Sequence, residues 1–132
     1  MIVLVPLLLS LMSACGSSGQ FAAGIVYEAR AQMSMAKRAG AEELASSEFQ
    51  EANRILTEAE AAMAQKNEKE AYKIGTLAYL KARLAEAMAI RNKTEREAEI
   101  EEAELSAAEV ELNRSRQERK AAEEELENFS KD

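Results

Sequence analysis

Alanine recurs through the middle of this chain at intervals of four and three, a spacing that suits helices touching closely along narrow faces. Ala22, Val26, Ala29, Met33 and Ala36 form one such stripe. Phe49, Ala52, Leu56, Ala59 and Met63 form a second, with Ile55 beside it. Ala71, Ile74, Ala78, Ala82, Ala85 and Ala89 form a third, and Leu77, Leu84 and Met88 are expected to widen its apolar face. Each stripe has a start signal: Ser17 with Gln20, Ser47 with Gln50 and Asn67 with Glu70 have the spacing of a capping box. Lys37 and Arg38 ahead of Gly40 give the first helix a stop. The pattern predicts helices over about residues 20–39, 47–65 and 68–91, with a turn from Gly40 to Ser46. The connection at residues 65–67 is so short that its two helices are expected to pair antiparallel. With the first helix closing their groove, residues 20–91 should make a slim antiparallel three-helix bundle.

Composition agrees with an all-α chain. There are five glycines, one proline and no Trp in 132 residues, and aromatics are only 5%. β-Branched and aromatic residues are thin beyond residue 26, so strands are not expected. A core of alanine buries little area per contact. At ~25 cal/mol per Å² of apolar surface it should be modest.

Residues 92–132 have a different character, that of a charged helical tail. Residues 91–104 are mostly charged, and Thr94 with Glu97 offers a further helix start. Leu105, Ala108, Leu112, Ala122, Leu126 and Phe129 then share a heptad stripe, which Ser115 and Arg119 interrupt. Such a tail is either a solvent-exposed single helix or one strand of a weak coiled coil. Leu105, Leu112 and Leu126 are its candidate partner contacts.

The first nineteen residues are expected to lie outside the fold. Ile2 to Met12 is an uncharged apolar run, too short to cross ~30 Å of hydrocarbon as a helix but suited to the core of a signal peptide over residues 1–14. Leu11, Met12, Ser13 and Ala14 ahead of Cys15 resemble a bacterial lipobox, in which the cysteine is lipidated and becomes the mature N-terminus. Met12 stands where that motif prefers leucine. No Lys or Arg precedes the run, a departure that a start upstream of Met1 would remove. Residues 15–19 would then be the lipidated cysteine and a Gly/Ser linker. Several acyl chains, each gaining ~0.8 kcal/mol per buried CH₂, anchor stably. In the lipoproteins this segment resembles, an aspartate after the cysteine favours inner-membrane retention. Gly16 stands there instead, which points to the outer membrane. The competing reading is a buried apolar helix with an incidental cysteine.

Several functions are disfavoured by what the chain lacks. Its net charge of −7 is opposite to what nucleic-acid phosphates require. It contains no histidine, which removes the commonest general base and transition-metal ligand. With Cys15 assigned to a lipid, no thiol nucleophile remains. Gly16 to Gly19 opens no strand–turn–helix and is not a phosphate loop. Glu95, Glu97, Glu99, Glu101, Glu102 and Glu104 are dense, but catalysis needs carboxylates converging in a dry cleft. On a tail that also carries Arg91, Lys93 and Arg96 they should be a solvated face. No catalytic residue, metal site or cofactor is expected. Tyr72 and Tyr79, seven apart, could grip a partner or pack at the bundle rim with their hydroxyls in water. Met33, Met35 and Met63 are expected to fill gaps in the core.

The alanine pattern around "AKRAGAEELA", with "EFQEANRILTEAEAAM" and "AYKIGTLAYLKARLAEAMA", resembles a small Ala-rich helical domain of unknown function, the four-three-nine-eight type. The resemblance covers about residues 22–92. That family occurs in envelope lipoproteins of bacteria, sometimes ahead of an outer-membrane-protein-A type domain, and it implies no activity and no functional residues. Together these readings lead to a non-enzymatic, lipid-anchored periplasmic adaptor with an envelope protein partner. Two alternatives stay open: a spacer that self-associates through the C-terminal helix, and a helical-repeat-like peptide-binding module. Three helices are few for the second of these.

Overall fold

The computed structural model describes residues 17–130. They form four helices: α1 (Ser17–Arg38), α2 (Ala41–Leu44), α3 (Ser46–Ala64) and α4 (Glu68–Phe129). The class is all-α, and no strand occurs among the described residues. Three stripes open three long helices, as the spacing predicts, but the third does not end near residue 91: α4 continues without a break to Phe129. α1 begins at Ser17, earlier than the expected residue 20.

The stop at Gly40 works as anticipated. Its φ of 84° lies in the left-handed region, and its N–H bonds the Lys37 carbonyl at 2.9 Å. The next four residues form a one-turn helix instead of a plain turn. Glu43 and Leu44 donate to the Gly40 carbonyl, and Ala45 donates to Ala41. Ala41 and Ala45 are buried, and that burial decides the local geometry. It sets Ala45 at the N-cap of α3, where its side chain can cap nothing. The expected box at Ser47 therefore does not form. Gln50 instead reaches back to the Ser46 hydroxyl at 3.1 Å.

The link between α3 and α4 is a Schellman motif. Asn67 N–H bonds the Ala62 carbonyl at 3.0 Å and Lys66 N–H bonds Met63 at 2.9 Å, the 6→1 and 5→2 pair of that motif. Lys66 takes the left-handed position, with φ 58°. Asn67 also starts α4: its side-chain oxygen receives the Glu70 N–H at 3.4 Å, a long bond.

The chain falls into two compact units, one ending at Asn92 and the other beginning at Lys93. In the first, thirteen of the seventeen buried apolar residues are alanine, and every one at zero exposure is alanine. Close approach takes the place of bulk. A Cβ on Gly75 would meet Ile25 Cγ2 at 3.1 Å and Val26 Cγ2 at 3.2 Å, so the crossing of α4 over α1 is tight at this glycine. The central cluster joins Val26, Ala29 and Met33 to Ala52, Ile55, Leu56 and Ala59, and to Ala78 and Ala82. Smaller clusters lie towards α2 and towards the α3–α4 turn.

Leu77 and Leu84 do not widen the packed face of α4; each is 46% exposed. The alanine stripe draws the helices together along one narrow line, and the flanking leucines are left outside it. Met88 does pack, against the cluster near α2. A part-buried polar contact crosses the bundle: Gln32, only 4% exposed, donates to Glu86 Oε2 at 2.5 Å. Asn92 closes the unit by donating from its side-chain amide to the Leu44 carbonyl at 2.6 Å.

In the second unit every described residue is exposed. Its helix is supported by i,i+4 pairs: Arg114–Glu118 at 3.0 Å, Arg119–Glu123 at 3.7 Å and Lys93–Glu97 at 3.9 Å. Pairs of this kind contribute about 0.3–0.5 kcal/mol each.

Candidate functional site

The lipobox residues Leu11, Met12, Ser13 and Ala14 and the lipidation candidate Cys15 lie outside the described residues. The part of the bundle next to them in sequence is described. There α1 and the α3–α4 turn flank an open groove of about 670 Å³. Phe21 and Tyr72 supply its aromatic surface, and Lys66, Asn67, Glu68 and Lys69 its polar rim. The Glu68 carboxylate reaches to Gly19, where an added Cβ would meet Oε1 at 2.6 Å. A carboxylate beside the first turn of α1 interacts favourably with that end of the helix dipole.

Tyr72 and Tyr79 are separated in role. Tyr72 is 49% exposed and lines the groove. Tyr79, two turns further on, packs against the central core cluster. Phe21 is the groove residue that sequence reasoning misses. A signal for it exists: an aromatic placed off the Ala22–Val26–Ala29 stripe points away from the core.

Leu105, Leu112 and Leu126 are 62%, 50% and 71% exposed. They recur at heptad positions with Ala108, Ala122 and Phe129 on the same helix, and no described residue covers them. Glu95, Glu97, Glu99, Glu101, Glu102 and Glu104 all lie in solvent. Among the described residues no group of three His, Cys, Asp or Glu side chains could hold a metal ion. No described helix is long and apolar enough to cross a membrane.

The strongest electrostatic feature is local to α3. Arg54 bonds Glu51 at 3.2 Å and also holds Glu58. Its hydrogen bond, with its charge and that of Lys81, holds the Glu51 carboxyl below the usual carboxylate range. Arg54 is raised in turn, first by its bond to Glu51. Both side chains are exposed, and the pair braces a helix surface.

A family model described as domain of unknown function DUF4398 matches residues 26–100. The chain belongs to that family. No curated protein and no solved structure shows significant similarity to it. The DUF4398 segment takes in α1 from Val26, α2, α3 and the first part of α4. Phe21 and the stripe from Leu105 to Phe129 both fall outside it.

Proposed function

We propose that this chain is a lipid-anchored adaptor of the bacterial envelope, without catalytic activity. A lipid on Cys15 holds it at the periplasmic side of a membrane, the outer membrane in view of Gly16. Its C-terminal helix engages a protein partner. The observation that carries the adaptor reading is the helix of the second unit, in which Leu105, Leu112, Leu126 and Phe129 stay in solvent at heptad spacing. A chain gains nothing for its own fold from a regular apolar stripe that it does not bury.

The anchor is supported by the order of the apolar run, the small residues, Cys15 and the Gly/Ser stretch. The groove beside α1 is compatible with a membrane-proximal position. Aromatic rings such as Phe21 and Tyr72 suit the headgroup region, where one face is apolar and the other wet. Lys66 and Lys69 can extend towards lipid phosphates.

The test is expression of the full chain with a clickable fatty acid, beside Cys15→Ala. Label and membrane residence should both disappear in the variant. Residues 93–129 should resist protease in intact envelopes and be cut in the purified chain. An unlabelled, soluble wild type would sink the anchor, and equal cleavage in both settings would sink the partner.

A further inference from the structure

The stripe from Leu105 to Phe129 has flanks, and the flanks say what it can meet. Counted in heptads, Leu105, Leu112, Arg119 and Leu126 hold one seam position, and Ala108, Ser115, Ala122 and Phe129 the other. The residues bordering the seam are Glu104, Glu111, Glu118 and Glu125 on one side and Glu109, Arg116 and Glu123 on the other. Six of those seven are acidic. Glu118 and Glu123 are engaged by Arg114 and Arg119 of their own helix. Glu104, Glu109, Glu111 and Glu125 make no ion pair among the described residues.

Packing of two helices along such a seam places the bordering residues of one against those of the other. For a second copy of this chain the result is unfavourable in either direction. In a parallel, in-register pair, Glu104 would face Glu109 and Glu118 would face Glu123, with only Glu111 against Arg116 attractive. Arg119 would also meet its own counterpart inside the seam. In an antiparallel pair the all-glutamate side would run along itself. Like charges so placed are destabilising, and they act chiefly to reject a wrong partner.

We infer that this face docks an amphipathic helix of another protein, one whose apolar seam is bordered by lysine and arginine. Opposite Arg119 that helix carries an acidic or polar residue. The occupant is fixed by charge complementarity along the seam: an apolar line with acid on both sides fits an apolar line with base on both sides. The face lies beyond residue 100, where the family match ends. With four large apolar side chains at its eight seam positions, the contact is of the modest, exchangeable kind.

The inference rests on the adaptor reading and specifies the partner's chemistry. It is tested with the full-length chain in non-ionic detergent and three labelled synthetic helices of about four heptads. One has Leu seams and Lys borders, one Leu seams and Glu borders, and one Ser seams and Lys borders. Fluorescence anisotropy at neutral pH and low salt should show the first bound at least about tenfold more tightly than either other. Leu112→Ser with Leu126→Ser should abolish that preference while the thermal transition of the bundle is unchanged. Replacing Glu104, Glu111, Glu118 and Glu125 together by Lys should turn the preference towards the Glu-bordered probe.

Three results overturn the inference. If the chain alone sediments as an oligomer that Leu112→Ser dissolves, the occupant is a second copy. Equal binding of the Ser-seamed probe means bulk charge attraction, and no binding of any probe means the face has no such role. Should the tail still be protected in envelopes after any of these, only the partner's chemistry is lost. The adaptor reading itself falls by the labelling and protease test.

Discussion

Lys66 occupies a backbone position that favours glycine. At φ 58° a side chain costs on the order of 1 kcal/mol, because its Cβ crowds the neighbouring carbonyl. Lys66→Gly should therefore raise stability by about 0.5–1 kcal/mol, read as a higher urea midpoint with an unchanged slope. A drop in midpoint would mean that the lysine stem holds the turn in some other way. If the groove does face lipid, the same variant should bind anionic vesicles more weakly, so that stability and membrane contact move in opposite directions. Glu51 offers a second test at this scale. Its folded-state pKa is lowered, so its contribution is complete above the unfolded value of about 4.3 and disappears as pH falls through the folded one. In an NMR titration Glu51 should ionise below the ordinary glutamate value, and Arg54→Met should return it towards that value. Unchanged titration in that variant would remove Arg54 as the cause.

At the scale of elements, the decisive contact is α1 against α4 at Gly75. A leucine there would push into Ile25 and Val26, whose methyl groups already lie 3.1–3.2 Å from an added Cβ. Overpacking at such a crossing costs about 1–3 kcal/mol, and a core of alanine has few large side chains that can shift to absorb it. Gly75→Leu should lower the thermal midpoint by several degrees and expose the Ile25 region to hydrogen exchange. Retention of both would mean the crossing is looser than this geometry implies. The stripes that meet here were legible in the sequence, because a spacing of three and four is set by the helix period itself. Two features were not. The turn Gly40 to Ser46 hides a four-residue helix too short to show a period, fixed by burial of Ala41 and Ala45. The start signal at Thr94 and Glu97 also misleads: no Gly or Pro follows Gly75, so nothing interrupts the hydrogen-bond ladder and α4 runs on to Phe129. Tyr72 was legible as a surface aromatic, but the groove it shares with Phe21 needs the α3–α4 turn in three dimensions.

Over the whole molecule, the two units have different sources of stability, and hydrogen exchange can separate them. Both are built from the same i→i−4 bonds, so local bonding alone would protect them alike. The unit ending at Asn92 adds tertiary burial: each amide on its alanine stripes opens only with a larger part of the bundle. The unit beginning at Lys93 has exposed side chains throughout, good helix formers and a few surface ion pairs. A helix without tertiary contacts opens for little more than its own marginal helix–coil free energy. In the purified chain, amides of residues 71–89 should therefore exchange at least about a hundredfold more slowly than those of residues 105–125, a gap of roughly 2.7 kcal/mol. Adding a Lys-bordered partner helix should slow the second set and leave the first nearly unchanged, because burial is supplied only where the seam is covered. Equal protection in the two units before any partner is added would contradict an uncovered helix. It would mean that copies of the chain already bury the stripe, and that the glutamates along its borders are neutralised in a way that the sequence of charges does not provide.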